Sequence, residues 1–74
     1  MPRINISSKE VERVLRKHGF QIVGRKGGSH QQFKGIINAK KRRVTVLANK
    51  KDFDIKTFRS MLRQSGITEN VFFD

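Results

Sequence analysis

The apolar residues of this chain change their spacing twice, and that change limits the available folds more than any other feature. Val11, Val14 and Leu15 recur at helical spacing, and His18 closes their stripe. From Phe20 the period becomes two: Phe20, Ile22 and Gly24 alternate with Gln21, Val23 and Arg25. Helical spacing returns with Ile55, Phe58, Met61 and Leu62. The order is therefore helix, strands, helix.

Local chemistry sets the boundaries. Ser7-Ser8-Lys9-Glu10 has the form of a capping box, in which the Ser7 hydroxyl accepts from the Glu10 N–H and the Glu10 carboxylate accepts from the Ser7 N–H. A first helix over 8–18 follows, with Gly19 as the left-handed residue that ends it. Gly27-Gly28 supplies a turn between two strands, and the second strand resumes from Ser29 to Lys34. A reversal from Gly35 to Lys41, with Asn38 near its tip, leads to a third strand from Arg42 to Ala48. Asp54 caps a second helix over 55–65, stopped by Gly66. Beyond it, Thr68-Glu69-Asn70 and Val71-Phe72-Phe73 form a short turn whose aromatics pack back on the body. The expected architecture is a two-layer α+β fold, αβββα, with both helices on one face of a three-stranded antiparallel sheet and the other face open. One domain, 1–74, accounts for the whole chain.

The chain has 74 residues and no cysteine, so disulfides and Cys-based zinc sites are excluded and one modest core must hold the fold. No apolar run exceeds three residues, which leaves no transmembrane segment and no signal-peptide core. A cytoplasmic location is the resulting expectation.

Charge points to a partner. Lys and Arg number 17 against 6 Asp and Glu, a formal net charge of +11. Between Glu12 and Asp52 there is no acidic residue, while Arg13, Arg16, Lys17, Arg25, Lys26, Lys34, Lys40, Lys41, Arg42, Arg43, Lys50 and Lys51 all fall there. Such segregation raises self-repulsion in the folded state, and an anionic ligand relieves it. Nucleic acid fits best. Neither helix joins a long apolar face to a purely basic one, so a membrane surface does not.

Alternation along the strands selects a site. With Phe33 pointing into the core, Ser29 and Gln31 share its side, and His30, Gln32 and Lys34 face the open side. Inward Val44 and Val46 put Arg43, Thr45 and Leu47 on that open side too. An imidazole beside cations suits a phosphodiester, because cations stabilise charge developing on phosphorus while histidine exchanges protons near neutral pH. The small residues Gly27, Gly28 and Ser29 let a ligand backbone approach closely. A lone strand histidine is more often a plain polar surface group, and position alone does not make it catalytic. His18, at a helix C-terminus, complements the helix dipole. Glu10 and Asp54 are caps, and Glu12, Asp52, Glu69 and Asp74 have no metal-ligand spacing, so a two-metal nuclease, or any metal or cofactor, is not expected.

Four segments in one order carry a resemblance: Gly19-Phe20; Lys26-Gly27-Gly28-Ser29-His30-Gln31-Gln32-Phe33; Arg43-Val44-Thr45-Val46; and Lys56-Thr57-Phe58-Arg59-Ser60-Met61-Leu62-Arg63-Gln64-Ser65-Gly66-Ile67. From about Ser7 to Ile67 the chain resembles the HicA toxin family. The resemblance implies a fold similar to a double-stranded-RNA-binding domain and the toxin role of a toxin–antitoxin pair. It also implies a ribonuclease that cleaves messenger RNA, silenced by a HicB-like antitoxin. The family's catalytic histidine corresponds to His30; where many members have a second histidine next to it, this chain has Gln31.

The expected chemistry is metal-independent. His30 acts as general base on a ribose 2′-OH, with one or more of Lys26, Lys34 and Arg43 neutralising the phosphate at the cut, and Gly28 and Ser29 complete the RNA-binding set. The alternative is a non-catalytic RNA-binding module of the same fold, for which basicity suffices.

Overall fold

A computed structural model describes residues 3–26 and 29–73 of the chain. Its elements are β1 (Arg3–Ile4), α1 (Ser8–Lys17), β2 (Gln21–Lys26), β3 (His30–Ile37), β4 (Lys40–Leu47), β5 (Phe53–Asp54), α2 (Ile55–Ser65) and α3 (Glu69–Phe72). Strands β2, β3 and β4 form the expected antiparallel meander, in that spatial order. Both helices cover one of its faces, as the α+β reading requires.

Both long helices begin and end on the residues that the local signals name. The Ser7 hydroxyl accepts the Glu10 N–H at 3.3 Å, and Asp54 Oδ1 accepts the Thr57 N–H at 3.2 Å. The reciprocal arm of the capping box is not made: the Glu10 carboxylate turns instead to Arg13 Nη2 at 3.1 Å, an exposed ion pair at i,i+3 on the helix. Helix α1 stops at Lys17 with His18 as its C-cap, and Gly19 follows at φ +88°. His18 Nδ1 lies 2.9 Å from the Val14 carbonyl oxygen. A carbonyl only accepts, so Nδ1 carries the hydrogen, and the ring adds a second donor to a carbonyl that also accepts the His18 backbone N–H at 3.2 Å.

The core joins Val11, Val14 and Leu15 of α1, Phe20, Phe33, Val44 and Val46 of the sheet side, and Phe58, Met61 and Leu62 of α2. Phe72 closes its far end, meeting Phe58 edge-on at 4.9 Å between ring centroids. The short C-terminal turn is thus a helix whose aromatic residue packs back, capped by Thr68 Oγ1 on the Val71 N–H.

The sheet departs from the simple alternation in three places. The β3–β4 reversal is tighter than Gly35 to Lys41: β3 runs on to Ile37, and only Asn38 and Ala39 turn, at φ +53° and +65°. Two successive positive φ values match the twist of the flanking strands, and asparagine tolerates them. The second departure is a bulge in β2. Ile22 pairs with Phe33 but Gly24 pairs with Gln32, leaving Val23 as the extra residue. Every residue after it changes face, so Arg25 lies opposite Gln31 on the helix side rather than outward with Gln21. Third, β1 and β5 form a separate two-stranded ladder, Ile4 opposite Phe53, which the sequence reading left unassigned. The Gly27-Gly28 turn lies outside the described residues.

Gly35 sits directly over Phe20. A Cβ there would stand 2.6 Å from the ring's Cγ, and Phe20, 1% exposed, has nowhere to retreat. Gly35→Ala should therefore destabilise the protein by about 1–3 kcal/mol, the usual cost of overpacking. Ala39→Gly should do the reverse, by about 0.5–1 kcal/mol, because glycine adopts positive φ without a Cβ clash. At about 4–8 °C per kcal/mol for a domain of this size, thermal melts resolve both changes; an unaltered melting temperature in either variant contradicts the corresponding contact.

Candidate functional site

Phe33, fully buried, fixes which way the middle strand faces. Its neighbours Gln32 and Lys34, and His30 before them, then point to the open side, where His30 and Lys34 are exposed and Gln32 is half-buried. His30 pairs in register with Leu47, Gln32 with Thr45 and Lys34 with Arg43. Gln32 Nε2 donates to Thr45 Oγ1 at 2.9 Å across this face.

His30 does not stand on a flat sheet. Strand β4 is an edge strand, and α2 lies along it: Gln64 Oε1 accepts the backbone N–H of Thr45 at 3.2 Å. A cleft of about 350 Å³ results, with His30, Thr45 and Leu47 on the sheet side and Lys56, Ser60 and Gln64 on the α2 side, over Phe53 and Met61. Lys56, Ser60 and Gln64 recur every fourth residue, so they form one stripe of the helix. That polar stripe is visible in the sequence. Its placement against His30 is not, because it depends on α2 covering the edge of β4.

The remaining expected site residues divide. Lys34 and Arg43 share the open face with His30 but sit four residues further along it, roughly 13 Å at about 3.3 Å per residue. They line a separate, wider cleft of about 680 Å³ with Lys41, Arg42 and the exposed Val23 and Ile36. Ser29 is exposed beside His30, and its carbonyl accepts the Ala48 N–H at 2.7 Å. Lys26 lies opposite His30 in register; its side chain lies outside the described residues, as does Gly28. Gln31, which stands where a second histidine is common, is 4% exposed and faces the helices, where its Nε2 donates to Glu12 Oε2 at 3.1 Å. His18 is held at the end of α1, away from the cleft. One imidazole therefore serves it.

Among the described residues no three His, Cys, Asp or Glu side chains gather in a way that could hold a metal ion, and no helix is long and apolar enough to cross a membrane. The arrangement offers a proton-exchanging ring, a lysine ammonium and hydroxyl and amide donors around one open groove. Those are the groups that receive a phosphodiester.

A comparison with curated proteins finds no match to the chain. A family model described as the HicA toxin of bacterial toxin-antitoxin pairs matches residues 8–67, a span that contains both clefts, both long helices and the whole three-stranded sheet. The chain belongs to the HicA toxin family.

Proposed function

We propose that this protein is a metal-independent endoribonuclease: the toxin of a bacterial toxin–antitoxin pair, cleaving messenger RNA in the cytoplasm and held inactive by a HicB-like antitoxin. The observation that carries the reading is the exposed His30 imidazole at the mouth of a cleft that also presents Lys56. Family membership supports the toxin role, and the acid-free run of cations supports an RNA substrate.

In this mechanism a phosphodiester lies across the cleft with its 2′-OH at His30. The ring nitrogen takes the hydroxyl proton as O2′ attacks phosphorus. The bond from phosphorus to the 5′ oxygen breaks, that oxygen takes a proton from solvent, and a 2′,3′-cyclic phosphate remains. Lys56 neutralises charge on the non-bridging oxygens, and Ser60 and the Gln64 amide nitrogen donate hydrogen bonds to them. Lys34 and Arg43, further along the open face, bind an adjacent phosphate rather than the scissile one. Lys26, Gly28 and Ser29, the residues that precede His30 in the sequence, complete the RNA-binding set.

His30→Ala should lose about 10²–10⁴ in cleavage rate, the usual contribution of a positioned proton-transfer group, while its RNA affinity and melting curve stay as in the parent. Cleavage at the parent rate would remove the site. An RNA with a single 2′-deoxyribose at the cut should resist; cutting it efficiently rules out the 2′-OH step. Both assays are run in EDTA, where binding without fragments would leave an RNA-binding module instead of an enzyme. Lys56→Ala should lower kcat at least about tenfold, as expected on removing one donor to a developing oxyanion.

A further inference from the structure

A third cleft lies on the opposite side of the sheet, and the bulge at Val23 supplies one of its cations. The bulge turns Arg25 to the helix-covered side, next to Gln31. There a cavity of about 460 Å³ opens between α1, the end of the sheet and the loop after β4, with Lys9, Arg25, Lys50 and Lys51 around it. Ser8, 2% exposed, ties its two walls together: its N–H donates to the Lys50 carbonyl at 2.9 Å, and its Oγ accepts the Lys50 N–H at 3.1 Å. The carboxylate that lines the cavity, Glu12, accepts a hydrogen bond from Gln31. None of the four cations makes an ion pair with a carboxylate among the described residues.

This cavity lies at the same end of the sheet as His30. Gln31 and Ala48 line it, and each is the chain neighbour of a residue of the His30 cleft, His30 and Leu47. Among the described residues, the sheet end where Ser29 meets Ala48 lies between the two. We infer that an RNA strand leaving the His30 cleft passes round this end and that Lys9, Arg25, Lys50 and Lys51 hold its phosphates, a sequence-independent subsite that anchors the substrate away from the cut. The inference rests on the ribonuclease reading and assigns that enzyme a substrate contact on its other face. The lining favours a phosphate backbone over an acidic protein: among the described residues Ala48 is its only aliphatic one, whereas a protein partner ordinarily inserts larger apolar anchors.

The test measures binding of a labelled single-stranded RNA of roughly ten nucleotides, a length within common single-strand site sizes, to the full chain carrying His30→Ala. Into that background go Arg25→Gln, Lys50→Gln and Lys51→Gln. Each phosphate contact on single strands contributes about 0.7 to the salt slope of log K. The triple variant should therefore lose about 2 from the slope, and bind at least about tenfold more weakly at 0.1 M salt. Neutralising three exposed cations outside all three of these clefts, Lys17, Lys40 and Arg63, should leave the slope closer to the parent's. Arg25→Gln and Lys51→Gln alone, both at exposed positions, should each lose about 0.7 should the triple variant melt early. Equal slopes in the cleft and control variants overturn the subsite, as does unchanged RNA affinity, the result expected of a cleft shaped for an acidic protein. If the parent chain still cleaves the same RNA, the ribonuclease reading survives that outcome; if the parent neither binds nor cuts it, both fall.

Discussion

Burial of Phe33 in the middle strand is the constraint from which the rest of the molecule follows. Its ring is fully enclosed, with the Arg16 guanidinium 5.8 Å above it, so β3 has one permitted face toward the helices. A slip of one residue would place Phe33 in water and drive His30 and Lys34 into the core. Desolvating an unpaired cation and an imidazole is costly enough to make that register inaccessible. The same ring therefore sets the position of the candidate base and the side on which the strand's cations lie.

Once that register is set, the two faces of one sheet end have different characters. The outer side holds an imidazole in a groove walled by a helix. The inner side holds cations on a frame pinned by Ser8 and Lys50. What joins them is a pair of neighbouring residues in each segment: His30 and Gln31 within β3, whose side chains point opposite ways as an extended chain requires, and Leu47 and Ala48, where β4 gives way to a turn. The charge segregation along the sequence thus reaches both faces and is not a single patch.

Helices, caps and the core were legible in the sequence because their determinants are local. Ser7, Asp54 and the glycines at 19 and 66 each act within one turn, and the stripes Val11, Val14, Leu15 and Phe58, Met61, Leu62 report the buried faces directly. The outward position of His30 was legible for the same reason, from alternation around Phe33. The features that escaped depend on distant partners. Gln21 to Lys26 alternates normally, and only its pairing with β3 shows that Val23 is an extra residue. Ile4 meets Phe53 across most of the chain length, in strands of two residues that carry no periodic signal. Ala39 hides a tight turn because it is not a residue such turns select. Lys56, Ser60 and Gln64 read as a solvated helix face until the edge of β4 is seen beneath α2.

Gln64 on the backbone of Thr45 also changes the colloidal behaviour of the protein. With α2 along β4, the outer edge of β2 is the margin of the three-stranded sheet left for another strand to join. That margin is broken by the bulge at Val23 and continues into Arg25 and Lys26, so a second copy adding there would bring like charges together on an irregular ladder. Self-association through the sheet is opposed both by geometry and by charge. Only the charge component weakens as added salt shortens the Debye length.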